Sequence, residues 1–320
     1  MIRVHVVRNP STRNRQEIRA RIVANGRSEE VFFRWRGAAC SAPGDAFLLA
    51  ALPLAMERAE GLRLDGPVSA PMLEGMPKVQ GALKALDPMM SCVEVETGVP
   101  ILNAPPFIQG RPAATPTEAG ALFDGGMESL FCLVRHLPEI QALVLVTDET
   151  EPSRLPSPNR RRGPMFTRHT AAELEKETVE VETNVGGLYR NREWRYGIER
   201  GFVSLAGGLA LSGRLSRLYL PGGLFGLDAG SGGLVSGLKA GGLDLCADGA
   251  EAPSREMMET ILANEAVLDT LRVCWENPSR AFNCGRCPVC TRRMPGERLL
   301  RSLGGRTDAG PHGARDDQDF

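Results

Sequence analysis

Two stretches of the chain hold residue types at spacings that could do chemistry. Four cysteines lie within 17 residues, at Cys274, Cys284, Cys287 and Cys290. Earlier in the chain, the segment 124–129 sets acidic and hydroxyl side chains around a pair of glycines. Clustered thiolates bind metal ions, and glycine-rich turns bring backbone N–H groups close to anions. The sequence therefore predicts one metal site and one anion site.

The cysteine spacing fits a closed metal site. Two-residue gaps separate Cys284, Cys287 and Cys290, and Gly285 eases the tight turn between the first two of them. With Cys274, four thiolates can surround one zinc ion as a tetrahedron and leave no position open for a substrate, so the site is predicted to be structural. An iron–sulfur cluster also takes four cysteines and is the alternative. A reducing compartment and the lack of a redox motif elsewhere in the sequence favour zinc.

The glycine segment has the pattern of a strand, a turn and a helix. An apolar run over 119–123 predicts a buried strand, and Gly125-Gly126 supplies the turn. Apolar residues then follow at helical spacing, at Met127, Leu130, Phe131 and Val134. This arrangement would point a helix N-terminus and its backbone N–H groups at a bound anion. Many tight turns share the pattern, so it does not by itself identify the anion.

From residue 118 onward, strands and helices alternate. The strand-like runs are 143–147, 178–183, 217–220 and 243–246. Helical patterns between them predict a parallel sheet with both faces covered. In such sheets ligands bind outside the carboxyl ends of the strands. Asp148 and Asn184 each follow a predicted strand, as Asp124 does. We therefore expect these side chains to share one crevice.

The composition limits the class of protein. The chain has 320 residues, of which 42% are hydrophobic, and a formal net charge of −1. This balance argues against binding to DNA or to an anionic membrane surface. The longest apolar stretch, 46–56, is too short to span a bilayer, and the first ten residues lack the apolar core of a signal peptide. A cytoplasmic location is expected.

The patterns divide the chain into four parts. Residues 1–105 are expected to form a small α+β domain, and the proline-rich residues 106–117 a linker. Residues 118–303 are expected to form an α/β domain that includes the cysteine motif, and the polar residues 304–320 a disordered tail. The predicted fold class is thus α/β, preceded by a smaller α+β domain. No repeat or coiled-coil pattern indicates an assembly, and a homodimer stays open.

Three further features are interpreted from their neighbours. A loop over 151–164 carries Arg154 and the consecutive arginines 160–162, and is either a solvated surface loop or a lid that binds phosphates. Cys132 is expected to pack in the core, without the basic partner that sulfur transfer would need. His136, near the end of the predicted helix, is expected to act as a C-terminal cap.

Both stretches resemble one enzyme family. Residues Asp124-Gly125-Gly126-Met127-Glu128-Ser129 resemble the PP-loop of the ATP pyrophosphatase family, whose pattern is Ser-Gly-Gly-x-Asp-Ser. The glycines and Ser129 match, Glu128 stands for the family's aspartate, and Asp124 stands for its first serine. Residues 273–293 resemble the C-terminal zinc motif of the QueC-like, or ExsB-like, branch of that family, the cyano-deazaguanine synthases. The resemblance covers 118–300, and the preceding region is similar to extended ExsB-like proteins.

The resemblance implies a fold, an activity and a set of site residues. The fold would be the parallel α/β fold of adenine nucleotide alpha hydrolases. The activity would be ATP-dependent, AMP-forming adenylation of a small carboxylate or carbonyl substrate, with Glu128 and Ser129 as catalytic residues and Glu128 holding Mg²⁺. The nucleotide-binding residues would be Phe123, Asp124, Gly125, Gly126, Met127, Ser129, Asp148 and Asn184. The cofactors would be ATP, Mg²⁺ and a structural Zn²⁺.

Two departures from the family pattern leave a second function open. At Asp124 a carboxylate replaces a hydroxyl that donates to phosphate, and an acid facing a triphosphate costs on the order of a few kcal/mol unless a cation lies between them. Around 224–242, where extended relatives carry polar side chains, this chain is rich in glycine. The alternative is therefore a pseudoenzyme, a scaffold that is stabilised by a structural zinc ion and binds a nucleotide or a partner without turnover.

Overall fold

The fold is described from a computed structural model of the chain. The residues it describes are 1–7, 15–98, 107–108, 111–112, 116–150, 163–189, 196–225, 235, 238–268, 270, 271, 274, 283 and 288. Half of the predicted linker, residues 151–162 with their arginines, and the predicted tail 304–320 lie outside these residues, so what was expected of them stays a prediction.

The regular elements alternate along most of the chain. The strands are β1 (Ile2–Val7), β2 (Gln16–Ala24), β3 (Arg27–Trp35), β4 (Leu62–Asp65), β5 (Val95–Thr97), β6 (Phe107–Ile108), β7 (Arg111–Pro112), β8 (Glu118–Leu122), β9 (Ile140–Asp148), β10 (Glu177–Thr183), β11 (Leu215–Pro221), β12 (Lys239–Ala240) and β13 (Leu243–Asp248). The helices are α1 (Pro43–Arg58), α2 (Ala70–Leu86), α3 (Met127–Arg135), α4 (Gly163–Glu173), α5 (Tyr196–Leu209), α6 (Ser254–Leu262) and α7 (Glu265–Leu268), with a short 3-10 helix at Val185–Tyr189.

Eleven of the described strands form one sheet. Their order across it is β12-β13-β11-β8-β9-β10-β3-β2-β1-β4-β5. The strands β13, β11, β8, β9 and β10 pair in parallel. β3 pairs antiparallel with β10, and this pairing joins the N-terminal strands to the parallel ones. The prediction of an α/β fold with a mostly parallel sheet is confirmed at this coarse level. The two predicted units share one sheet, and the domain boundary between them stays a prediction.

A tight hairpin starts the N-terminal part of the sheet. β2 and β3 pair antiparallel along their whole length. Asn25 and Gly26 connect them with φ values of 51° and 71°, and two consecutive positive values are the mark of a type I′ turn. The sequence patterns did not single out this hairpin, although an Asn-Gly pair between two strands is a strong hairpin signal.

The helix α1 is apolar on all sides and is covered along most of its length. Pro43 opens it in the first turn, where a missing N–H costs nothing, and every residue from Gly44 to Met56 is buried. A helix without a polar face must be covered all round, and β1, β4, α2 and α5 contact it. The hydroxyl of Tyr189 donates to the carbonyl of Ala50 in α1. None of the helices in the described ranges combines the length and the apolarity needed to cross a bilayer.

Apolar side chains pack on both faces of the parallel strands. One cluster combines α1, α2 and α5 with the sheet, and a second combines α3 and α6 with its opposite face. In β8 the alternation is direct, since Ala121 belongs to the second cluster and Leu122 to the first. The buried side chains of β1, β2 and β3 all belong to the first cluster. On the other side of β3, the guanidinium of Arg34 lies over the ring of Phe32 at 4.5 Å.

A buried carboxylate ties α1 to the segment before α2. Asp45 is 1% exposed, and it accepts hydrogen bonds from the N–H of Ser69 at 2.8 Å and from the Ser69 hydroxyl at 2.6 Å. Gly241, between β12 and β13, donates its N–H to the same hydroxyl at 3.1 Å. Burial raises the pKa of Asp45 from its ordinary value of 3.8 to about 6, although the hydrogen bonds from Ser69 act against this shift. The cluster connects the N-terminal helices to the last hairpin of the sheet.

The raised pKa of Asp45 predicts that this residue stabilises the fold at low pH, which is opposite to ordinary acid denaturation. Because its pKa is about 6 in the folded protein and 3.8 when unperturbed, the folded state binds the proton more tightly. The contribution of Asp45 to the free energy of unfolding is complete below about pH 4, falls as the pH rises, and is lost above about pH 6. Its size is on the order of 3 kcal/mol.

The substitution Asp45→Asn should remove this contribution to the pH dependence. Relative to wild type, the variant should gain about 3 kcal/mol of unfolding free energy as the pH rises from about 4 to 7. Urea unfolding at several pH values measures the difference, and Asp87→Asn at the partly exposed end of α2 is the control. A difference between Asp45→Asn and wild type that is constant over this range would contradict the prediction.

Candidate functional site

The glycine segment lies between β8 and α3, as its pattern predicted. The N–H of Phe123 donates to the carbonyl of Val144 in β9 at 2.8 Å, which holds the chain to the sheet up to the turn. Gly125 then adopts a φ of 80°, a value that favours glycine. Gly126 is the N-cap residue of α3. The chain therefore passes from strand to helix over residues 123–126, the geometry expected of an anion-binding loop.

The side chain of Asp124 folds back onto the N-terminus of α3. Its Oδ1 atom accepts hydrogen bonds from the N–H of Gly126 at 2.9 Å and from the hydroxyl of Ser129 at 2.8 Å. A negative charge at this position is stabilised by these donors and by the helix dipole. The two donors are among the groups that the family resemblance assigns to pyrophosphate. The loop thus holds one of its own carboxylates where a bound anion is expected.

Glu128 lies beside the same turn. A methyl group at Gly126 would be 3.1 Å from Asp124 Oδ1 and 3.6 Å from Glu128 Oε2, so the two carboxylates flank this glycine. Glu128 also packs against Gly223, where a methyl group would be 3.0 Å from Glu128 Cγ. Gly223 belongs to a turn after β11 that is closed by a 3.0 Å hydrogen bond between residues 224 and 221. The loop after β8 and the turn after β11 therefore meet at Glu128.

The turn after β13 supports this crevice from behind. A Cβ atom at Gly222 would clash with the backbone of Gly249 and Ala250, so the two turns touch main chain to main chain and only glycine fits. A Cβ atom at Gly249 would be 2.9 Å from the ring of Phe131 in α3. Since β13, β11 and β8 are adjacent parallel strands, three turns converge at their carboxyl ends, where ligands bind in such folds.

A basic residue that the sequence patterns did not single out faces the loop. Arg200, near the start of α5, places its Nη2 atom 3.7 Å from Oδ2 of Asp124. The side chains are 46% and 48% exposed, so this ion pair contributes little to stability. Its position is the informative feature, because a guanidinium group binds phosphate well. No local signal marks Arg200, since α5 reaches the loop only through the fold.

Asp148 and Asn184 follow their strands as predicted, and the contacts found for them are with other loops and strands. Asp148 accepts hydrogen bonds from the N–H of Thr150 at 2.7 Å and from the N–H of Gly186 at 2.6 Å, which orders the turns after β9 and β10. The side-chain amide of Asn184 accepts a hydrogen bond from a backbone N–H of β3 and donates one to a backbone carbonyl of β3, both with N···O distances of 2.9 Å. Both side chains thus have structural roles in these contacts, and a role in nucleotide binding stays a prediction.

Cys132 and His136 occupy the far end of α3. Burial raises the pKa of the Cys132 thiol to about 12, which suits packing in the core and not nucleophilic chemistry. His136 follows the last residue of α3, and its backbone N–H donates to the carbonyl of Cys132 at 3.3 Å. The His136 side chain contacts the carboxylate of Asp248 in β13, with 2.7 Å between Nε2 and Oδ2. The sequence patterns did not predict this contact.

One of the four predicted metal ligands is described, and it is buried. The other three, Cys284, Cys287 and Cys290, lie outside the described residues. Cys274 is 1% exposed, and its N–H donates to the side chain of Asn283 at 3.2 Å. Asn283 in turn donates to the carbonyl of Leu271 at 2.8 Å. The residue before Cys284 is therefore in contact with Cys274. Among the described residues, no group of three or more His, Cys, Asp or Glu side chains is placed to hold a metal ion.

Comparison of the chain with models of protein families, with curated proteins and with solved structures found no match. What the crevice binds is therefore inferred from its residues, from its geometry and from the two motif resemblances.

The contacts of Asn184 predict that its main contribution is to stability. Asn184→Ala would leave the partly buried N–H of Phe32 in β3 without its partner at the β10–β3 junction, so we expect a loss of about 1 kcal/mol of unfolding free energy. Urea unfolding measures this loss of stability, and isothermal titration with Mg²⁺–ATP measures the affinity for the nucleotide. An unchanged stability together with a weakened affinity for ATP would assign Asn184 to the nucleotide instead.

Proposed function

We propose that the crevice at the carboxyl ends of β8, β11 and β13 binds ATP, and that the protein is an AMP-forming, adenylating enzyme of the PP-loop, QueC-like type. Its substrate would be a small carboxylate or carbonyl compound. The observation that carries this proposal is the meeting of the glycine loop before α3 with the turn after β11 at Glu128. Glycine backbone on two sides lets a phosphate group approach the main chain closely at a helix N-terminus.

The residues of the loop have distinct roles in this proposal. The N–H groups in the first turn of α3 have no partner within the helix, and with those of Gly125 and Gly126 they would bind the pyrophosphate of ATP. The Ser129 hydroxyl, which now donates to Asp124, would turn to a phosphate oxygen. Arg200 lies near enough to the loop to bind another phosphate oxygen. The substrate oxygen would attack the α-phosphate, and pyrophosphate would leave. A nitrogen or sulfur nucleophile would then attack the adenylated carbon, and AMP would leave.

The carboxylates of Asp124 and Glu128 fit a magnesium ion. Mg²⁺ is usually bound through one or two carboxylates together with phosphate oxygens, and these two carboxylates flank Gly126 next to the loop. The ion would supply the positive charge that offsets both carboxylates and the triphosphate. With it in place, the aspartate at position 124 holds the nucleotide's counter-ion and does not repel the nucleotide.

A second function is favoured by the hydrogen bonds of Asp124. If no cation enters, the carboxylate keeps the N–H of Gly126 and the hydroxyl of Ser129 for itself and repels phosphate. The protein would then be a pseudoenzyme, a scaffold that binds a nucleotide or a partner without turnover. Asp124 is thus the residue that separates the two functions.

A structural zinc ion is proposed at Cys274, Cys284, Cys287 and Cys290. Four cysteine thiolates form a closed tetrahedral donor set. The buried position of Cys274 and its contact with Asn283 support the proposal, because that contact brings the residue before Cys284 next to Cys274. Iron–sulfur ligation is the competing assignment.

Titration with Mg²⁺–ATP tests the nucleotide site. The enzyme proposal expects wild type to bind and Asp124→Ser to bind at least about tenfold more weakly, because the substitution removes a magnesium ligand. Arg255→Ala on the surface of α6 is the control and should leave the affinity unchanged. A scaffold whose Asp124 repels phosphate would show the reverse order, with binding gained only in Asp124→Ser. If neither protein binds ATP, the crevice is not a nucleotide site.

Turnover is tested separately by measuring AMP and pyrophosphate. Wild type with Mg²⁺–ATP, a nitrogen donor such as ammonia, and a panel of small carboxylates and carbonyl compounds should release both products in equal amounts. Glu128→Gln should lower the rate by about 100-fold or more, since the magnesium ion that offsets the charge of the reacting phosphates loses a carboxylate ligand. Tight binding of ATP without product from any member of the panel would favour the scaffold.

Metal analysis tests the zinc proposal. We expect one zinc ion per chain, and we expect Cys287→Ser to lose it. Asn283→Ala should retain the metal but lower the unfolding free energy by about 1–3 kcal/mol, because two buried backbone groups lose their partner. One iron–sulfur cluster per chain, or neither metal, would refute the zinc assignment.

A further inference from the structure

A polar cluster at the end of α3 lies apart from the glycine loop and is not used by the proposed reaction. Nε2 of His136 is 2.7 Å from Oδ2 of Asp248, the last residue of β13, and Nε of Arg135 is 3.3 Å from the same oxygen. The ring of His136 stacks on Tyr219 of β11, with centroids 4.1 Å apart and an interplanar angle of 20°. The hydroxyl of Tyr219 donates to Glu139 at 2.6 Å. The histidine is therefore held from two sides.

The His136–Asp248 contact adjoins the turn that supports the crevice. Asp248 continues directly into Gly249 and Ala250, and these two residues touch Gly222 main chain to main chain. The next residue along, Gly223, packs against Glu128. A continuous series of contacts thus runs from the C-terminal end of α3, through the turns after β13 and β11, back to Glu128 at its N-terminal end.

A displacement of one turn passes to the next more directly through these glycines than it would through side chains. Because Gly222 has no side chain, its contact with the turn after β13 is between two backbones and cannot be relaxed by a change of rotamer. A shift of Asp248 therefore moves the turn 249–250, and the turn after β11 must follow or lose the contact. The side chain that anchors Asp248 on α3 is His136, with Arg135 beside it.

We propose that His136 and Asp248 are positioning residues for the candidate site, which set the distance between the turn after β11 and Glu128. Neither touches the crevice itself, so their effect on the ligand passes through the main chain at 249–250 and 222–223. The proposal rests on the proposed function only for the identity of the ligand. The mechanical coupling between His136 and the turn after β11 is a property of the protein alone.

The coupling is tested by hydrogen–deuterium exchange of the full chain without ligand. In His136→Ala, the backbone amides of residues 220–225 should exchange about tenfold faster, the factor that corresponds to loss of one charge-assisted hydrogen bond. His136→Gln keeps a donor that can reach Asp248 and should restore most of the protection. Arg255→Ala, which breaks an exposed ion pair on α6, is the matched control and should exchange like wild type.

The amides of β2, at the far side of the sheet, distinguish coupling from general destabilisation. Faster exchange at 220–225 with unchanged exchange at 18–24 supports the proposal. Equal acceleration in both regions, or no acceleration at 220–225, would overturn it, as would a failure of His136→Gln to restore protection where His136→Ala had lost it.

A second measurement separates this proposal from the proposed function. If wild type binds Mg²⁺–ATP, His136→Ala should weaken binding by about 10- to 100-fold, as is typical for residues that orient ligand-binding groups without touching the ligand, and His136→Gln should bind within a few fold of wild type. If wild type does not bind Mg²⁺–ATP, the proposed function fails, whereas the exchange experiment still decides on the coupling.

Discussion

Burial of α1 is the constraint on which the rest of the structure depends. A helix with no polar face is stable only when it is covered all round, because each Å² of apolar surface left in water costs about 25 cal/mol. The N-terminal strands cover one side of α1, and α5, which follows the glycine segment after the two strands β9 and β10, covers another. Residues from both parts of the chain therefore share a single core. Backbone hydrogen bonds between the antiparallel strands β10 and β3 also join the two parts of the chain, so that eleven of the described strands form one sheet.

The candidate site shows a competition that is built into any anion-binding loop. Backbone N–H groups at a helix N-terminus are stabilised by a negative charge, whether it belongs to a ligand or to the protein. Asp124 supplies that charge from within the loop. A phosphate can replace or join it only if positive charge enters, and Glu128 and Arg200 are the nearby groups that would bind a metal ion or a phosphate. The charge balance around the loop, more than the glycine turn, therefore decides between turnover and a scaffold.

Polar contacts between distant segments hold the architecture around this site. Asp45 with Ser69 connects α1 to the last hairpin, Asn184 connects β10 to β3, and His136 connects α3 to β13. In each case buried or partly buried polar groups are paired, since leaving one unpaired costs about 1–3 kcal/mol. Because apolar packing is non-directional, such contacts add the directional information that specifies which segments adjoin.

Signals contained in a short stretch of chain were enough to predict β8, α3 and the place of the loop between them. An apolar run, a glycine pair and helical spacing all lie within 119–134, and the structure has β8, the turn and α3 there. The Asn25-Gly26 turn was equally local and was overlooked. What required the folded chain was every relation between distant residues: the approach of Arg200 to Asp124, the use of Asn184 by β3, and the backbone contact of Gly222 with the turn after β13. A strand end predicts the edge of the sheet at which a residue lies, but its partners depend on which strands become neighbours, and that is settled by packing on both faces of the sheet.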